Sequence, residues 1–194
     1  MTKGYPIQPF YEIFYIHSML FNSASAVQSL MYLSEPLAEL AKNRQQPPDD
    51  FDDDDVLNHL QNVVLQAGAV SKYCFPPRKG HEARAETIKL ALGVSDSSPL
   101  ANRDLRNAME HFDERLDEYL SQGVFGHFFP QYVGPEPEPN QVPSHIFRAF
   151  YVDNDTFELL GIRYSFNPIA TEILRVHKEI RRCFEEGGRL HPRK

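Results

Sequence analysis

Four long stretches of the chain repeat apolar residues every three or four positions, and that period decides the fold class. Residues 9–33 carry Ile13, Ile16, Leu20, Ala24, Val27 and Met31 at this step, with Phe10, Phe14 and Phe21 widening the stripe. Residues 56–73 carry Val56, Leu60, Val63, Val64, Ala67 and Val70. In residues 101–121 the stripe is narrow: Leu105, Met109, Phe112, Leu116 and Tyr119. Residues 168–186 turn Ile169, Ile173, Val176 and Ile180 inward. Each stretch predicts an amphipathic helix that needs a partner to cover its apolar face.

The breakers fall between these stretches. Pro76-Pro77 stops the second helix, and Arg78-Lys79-Gly80 makes a short basic turn. A shorter helix is expected over Glu82–Leu92, ended by Gly93. Gly123 and Gly187-Gly188 close the third and last long helices. Residues 43–55 hold six aspartates and two prolines and read as a solvated linker, with Asp54 or Asp55 capping the next helix. No calcium-loop spacing is present there. Five prolines between 130 and 143 predict a stiff, extended connection. Ile146–Val152 and Phe157–Tyr164 are rich in branched and aromatic residues and flank Asp153-Asn154-Asp155, which predicts a β-hairpin.

The expected fold is therefore mainly α. It is an antiparallel bundle of four to five helices, with a small hairpin inserted at about 145–165, before the last helix. A length of 194 residues fits one domain over 1–194, with a basic tail at 187–194. A hydrophobic share of 41% allows a sizeable core. The net charge of −7 argues against coating nucleic acid by bulk charge, though it leaves room for a local basic site.

Cys74 and Cys183 form no zinc spacing and no disulfide framework, so ordinary thiols in a reducing cytoplasm are expected. Glu12, His17, Asn22 and Gln28 interrupt the apolar run at 9–33, so neither a membrane span nor a signal peptide is read there. His81-Glu82 lacks the second histidine of a zinc protease, and neither a metal site nor a cofactor is expected.

The third helix contains Arg106-Asn107-Ala108-Met109-Glu110-His111. On a helical wheel Arg106 and His111 flank the core stripe on opposite sides, with Asn107 between them on the outer surface. One helix thus does not aim Arg106 and His111 at a single point. The segment resembles the HEPN superfamily, helical-bundle proteins that include many prokaryotic defence and toxin ribonucleases. Their signature is an Arg, four to six residues, then a His, often with a polar residue after the Arg. Many HEPN toxins that pair with a nucleotidyltransferase carry a Tyr two residues after the His; here that position is Asp113. The resemblance implies a homodimer in which Arg106 and His111 of both copies line one cleft. It also implies metal-independent cleavage of RNA, in defence or toxin–antitoxin biology, with an antitoxin or other protein as a further partner.

The chemistry suits those residue types. RNA is cut when its 2′-hydroxyl attacks the adjacent phosphate, which needs proton transfer and charge stabilisation. His transfers protons near neutral pH, and Arg offers a permanent charged fork to phosphate oxygens. On this reading His111 is the acid or base, Arg106 holds the phosphate and Asn107 orients a partner or the substrate. The same pattern also fits an ordinary i, i+4 ion pair between Arg106 and Glu110, beside a solvent-facing His111. The alternative function is a non-catalytic bundle of this family that binds a nucleotide or a partner protein.

Asp104, Glu110, Asp113, Glu114, Asp117 and Glu118 crowd the same helix, so positive charge must come from elsewhere. Residues 165–194 carry +3 against −10 for residues 1–164, and Arg175, Lys178 and Arg182 are the candidate substrate-binding side chains. A solvated, dipole-complementing helix end explains the same charges. His127 reads as a buried loop histidine. Tyr5, Tyr11, Tyr151 and Tyr164 are candidates for stacking on bases or for aromatic packing.

Overall fold

A computed structural model of the chain describes residues 7–42, 51–138 and 142–192. They form six α-helices: α1 (Glu12–Lys42), α2 (Asp53–Cys74), α3 (Glu82–Leu92), α4 (Asp104–Glu110), α5 (Phe112–Ser121) and α6 (Asn167–Glu185). Four strands join them: β1 (His127–Gly134), β2 (Ser144–Tyr151), β3 (Thr156–Leu159) and β4 (Ile162–Ser165). The protein is mainly helical, with one mixed sheet. It divides into two compact units, residues 1–28, 63–103 and 168–194, and residues 29–62 and 104–167.

The first unit is built by helices alone. Ile16 and Met19 of α1, Val63 and Val70 of α2, Ile88 and Leu92 of α3, and Ile173, Val176 and Ile180 of α6 are its buried side chains. Gly93 ends α3 in the left-handed conformation (φ 61°) and donates its N–H to Lys89, as the glycine predicts. Ser23 Oγ lies 2.9 Å from His177 Nδ1 and ties α1 to α6. Cys74 and Cys183 are both free and buried.

The buried face of α1 differs from the expected one. Ile16, Met19, Ser23, Ala26, Ser29 and Leu33 face inward, whereas Phe10, Phe14, Phe21 and Met31 are exposed, Phe21 by 77%. Small residues allow close approach of a neighbouring helix, and Ser29 Oγ also accepts a bond from Asn62 Nδ2 at 2.9 Å. The helix also runs on through Pro36 to Lys42.

The second unit carries the sheet, in the order β1-β2-β3-β4. Where the sequence predicts a two-stranded hairpin after a proline-rich connection, the structure has four strands. The first part of the expected connection is β1, which pairs parallel with β2. Pro130 is accommodated because β1 lies at the sheet edge. Nine residues, 135–143, separate the ends of this parallel pair. Gly126, at the entry to β1, has φ +130°, and a Cβ there would lie 2.1 Å from the Pro143 carbonyl oxygen.

The expected strand 157–164 is two strands, joined by a turn at Leu160 (φ 51°) and Gly161 (φ 80°). Positive φ at both positions is the hairpin geometry that matches strand twist. Leu160 takes this left-handed backbone, which a bulky residue rarely adopts, with its side chain buried. Phe150 packs edge-on against Phe157 and Phe166, at centroid distances of 6.0 and 5.5 Å, at the centre of the unit.

The acidic stretch ahead of α2 is more than a solvated linker; its residues 43–50 lie outside the described residues. Asp52, rather than Asp54 or Asp55, caps the helix, its Oδ1 accepting from the N–H groups of Asp54 (2.9 Å) and Asp55 (3.2 Å). Asp53 accepts the Val133 N–H of edge strand β1 at 3.3 Å. Asp55 accepts the Tyr32 hydroxyl.

Candidate functional site

The expected third helix is broken at the residue that matters most. His111 has φ −115° and ψ 35°, outside helical values, and separates α4 from α5. Local charge favours a fresh start, since Asp113 and Glu114 occupy the first turn of α5. A tertiary contact also holds Phe112: the Arg148 guanidinium of β2 sits over its ring at 4.5 Å. Burial lowers the pKa of that guanidinium.

His111 faces outward, and the i, i+4 bonds from the His111 N–H to Asn107 and from the Arg115 N–H to His111 persist across the break. Its side chain is 58% exposed, with Nδ1 3.6 Å from Glu114 Oε2. It opens onto a groove of about 500 Å³ in the second unit, lined on one side by Asn107, His111, Arg115 and Tyr119, four residues apart each time. Leu159, Leu160 and Ile162, around the β3–β4 turn, form the opposite wall. Glu114 and Glu118 also line it, so two carboxylates stand against the one guanidinium of Arg115. Arg115 Nη1 donates to the Tyr164 hydroxyl at 3.1 Å, which orients the fork.

Arg106 is placed differently. Its side chain is only 11% exposed and it is not among the groove-lining residues. Its Nη2 donates to Asn107 Oδ1 at 3.2 Å, and its Nε lies 3.5 Å from Glu110 Oε2, buried and without a hydrogen-bond partner. The structure thus brings Asn107 and His111 to one groove and leaves Arg106 behind Asn107, where it fixes the amide.

Arg175, Lys178 and Arg182 belong to α6, in the first unit. Arg175 grips both oxygens of Glu172 (2.8 and 2.9 Å) and donates to the Leu92 carbonyl (3.0 Å). That guanidinium holds the Glu172 carboxyl below its ordinary pKa. Arg182 bonds Glu179 and Glu186 (2.9 Å each) and the carbonyls of Ala91 (3.0 Å) and His191 (2.9 Å). Both arginines spend their donors on the fold. Lys178 is exposed, with no ion pair among the described residues.

His127 is exposed at the start of β1, rather than a buried loop histidine. Tyr151 is buried, Tyr11 is exposed, and Tyr5 lies outside the described residues.

The pair that sequence reasoning does not find is Tyr119 and His145. The Tyr119 hydroxyl lies 2.6 Å from His145 Nδ1, and His145 Nε2 lies 2.9 Å from the Phe125 carbonyl oxygen. A carbonyl only accepts, so Nε2 carries the proton of the neutral ring and Nδ1 accepts from the phenol. Phe128 stacks on the imidazole at 5.3 Å and steadies it. Burial raises the pKa of the Tyr119 hydroxyl, with Glu158 adding to the effect, so the phenol is intact at neutral pH. Chemically this is an imidazole bonded to the phenol of a residue that lines the groove holding His111. Tyr119 reads as a core residue in the sequence, and its partner lies 26 residues away, so no local signal announces the pair.

Among the described residues no group of three or more His, Cys, Asp or Glu side chains could hold a metal ion. Nor is any described helix long and apolar enough to cross a membrane. Set against known protein families, curated proteins and solved structures, the chain matches none.

Proposed function

We propose that the groove beside α5 is the active site of a HEPN-like, metal-independent endoribonuclease. The observation that carries this reading is the exposed His111, set at a helix break and sharing one groove with Arg115 and the Tyr119–His145 pair. The reaction runs in one step on the ribose phosphate. The RNA 2′-hydroxyl gives its proton to Tyr119 Oη as the Tyr119 proton passes to His145 Nδ1. The 2′-oxygen attacks phosphorus, the bond from phosphorus to the 5′-oxygen breaks, and protonated His111 gives that oxygen a proton. The products are a 2′,3′-cyclic phosphate and a 5′-hydroxyl end. Exchange with solvent then returns both protons to their starting groups.

Arg115 faces the phosphate, and Arg106 is a positioning residue that acts through Asn107. The antiparallel bundle, the homodimer, the cytoplasmic setting and the defence or toxin–antitoxin role belong to the same proposal through the HEPN resemblance.

Arg106 burial and the carboxylates Glu114 and Glu118 favour a second reading, a non-catalytic HEPN-like protein that binds a nucleotide or a partner protein in this groove. Incubation of mixed RNA with purified protein in EDTA separates the two. Cleavage by the wild type, lost in His111→Ala, supports the nuclease. A folded wild type that leaves RNA intact selects the binding reading. Equal cleavage by both proteins removes His111 from the mechanism.

A further inference from the structure

The first unit pairs its cations with care. Lys89 meets Glu86 and Asp96, Arg175 meets Glu172, Arg181 meets Glu185, Arg182 meets Glu179, and Arg189 meets Glu12. Three cations without such a partner gather in one place. The C-terminal turn of α2, the turn after it and the start of α3 enclose a groove of about 370 Å³ lined by Lys72, Tyr73, Pro76, Arg78, His81 and Arg84. No carboxylate lines it. Lys72, Arg78 and Arg84 have no ion-pair partner among the described residues, in a chain whose net charge is −7. Glu82, at the start of α3, accepts the Gly80 N–H at 2.9 Å and does not line the groove.

The groove is also built. Arg84 is held by the Lys72 carbonyl at 3.1 Å, and its guanidinium lies over the Tyr73 ring at 5.7 Å. Its Nε is buried with no hydrogen-bond partner. Tyr73 is steadied in turn by the Ser18 hydroxyl at 2.6 Å and by an edge-on contact with Tyr15. Uncompensated cations around a shaped cavity leave a positive potential that an anion relieves. Arginine and lysine together suit phosphate oxygens. The volume exceeds what inorganic phosphate needs and falls in the range of small-molecule sites. Tyr73 and the two prolines supply flat apolar walls for a ring.

We infer that this groove is a binding site for a nucleoside di- or triphosphate, with Lys72, Arg78 and Arg84 on the phosphates and the Tyr73–Pro76 wall beside the base. The site is separate from the proposed RNA-cleaving groove, and it stands whether or not that groove cuts RNA.

The test is titration calorimetry of the full chain with ATP, ADP, adenosine and inorganic tripolyphosphate. It is repeated on His111→Ala and on the double variant Lys72→Gln/Arg78→Gln. Both substituted side chains are exposed and unpaired, so the thermal melt of the double variant should match the wild type. The expected result is one ATP per chain and no detectable adenosine binding. Tripolyphosphate should bind about tenfold more weakly than ATP, and the double variant should lose about tenfold or more in ATP affinity. His111→Ala should bind as the wild type does. Absence of ATP binding at millimolar concentration overturns the site. Equal affinity for tripolyphosphate and ATP overturns the nucleoside part. Unchanged ATP affinity in the double variant, or loss of it in His111→Ala, moves the binding elsewhere and overturns the assignment.

Discussion

Replacing Tyr119 with Phe keeps the ring and removes one oxygen, which makes it the sharpest probe of the proposed chemistry. The lost group makes a 2.6 Å contact with His145 Nδ1 in a half-buried setting. A neutral hydrogen bond of this kind contributes about 1 kcal/mol to stability, and partial exposure lets water replace it. The ring packing against His145 (5.8 Å) and Phe147 (6.2 Å) remains. A loss of about 1 kcal/mol lowers the melting temperature of a chain this long by about 2–4 °C. Losing a positioned proton acceptor costs about 10²- to 10⁴-fold in rate, equivalent to at least about 2.7 kcal/mol of barrier.

The assay is cleavage of a short RNA under single-turnover conditions in EDTA, from pH 5 to 9, with melting curves on the same samples. Tyr119→Phe should fall about a hundredfold or more at the pH optimum while melting within about 4 °C of the wild type. Tyr119→Phe combined with His145→Phe should be no slower than either single variant, because the two act as one relay. A rate within about threefold of the wild type would refute the relay. Tyr119 and His145 would then only tie α5 to β2.

Arg106→Ala should cost stability and activity together, because an 11% exposed guanidinium is removed from Glu110 and Asn107. The expected loss is about 1–3 kcal/mol in urea unfolding, whereas His111→Ala should change stability by no more than about 0.5 kcal/mol. Gly126→Ala places a Cβ against the Pro143 carbonyl at φ +130° and should destabilise the protein by about 2 kcal/mol or more; a loss under about 0.5 kcal/mol would show that the β1 entry relaxes freely.

The pH dependence of folding should carry the mark of His177, whose pKa is held below its ordinary 6.5 by burial and then by Arg181. The unfolded chain therefore binds more protons between that lowered value and 6.5, so stability falls as pH drops through this window. His177→Gln should flatten the slope of stability between pH 7 and 5, and an unchanged slope would dismiss His177 as its source. Both thiols should resist a disulfide reagent until the protein unfolds, since each is buried and burial pushes Cys74 up to about 12. Prompt labelling of the native protein would contradict that burial.

What was legible in the sequence is what depends on neighbours three or four residues apart. The second helix buries Val56, Leu60, Val63, Val64, Ala67 and Val70 as its spacing requires, and α3 spans Glu82–Leu92 up to the glycine that ends it. Backbone hydrogen bonding and capping act over one turn, so local residues suffice to specify them. The face of α1 was not legible, because its sequence offers two apolar stripes. Only the neighbouring helices choose the one with Ser23, Ala26 and Ser29, whose small side chains allow close approach.

The sheet needed tertiary structure for a similar reason. A parallel β1–β2 pair is a match between strands separated by the chain's own connection, and Pro130 and its neighbours read locally as a linker. The candidate site divides along the same line. Residue types at Arg106, Asn107 and His111 are visible from the sequence alone, together with the fact that one helix cannot aim Arg106 and His111 at one point. The helix break at His111, with Phe112 held under Arg148, and the meeting of Tyr119 with His145 are contacts across 26 to 36 residues of chain. Such contacts form only when helix and sheet pack against each other, and no periodicity in the sequence encodes them.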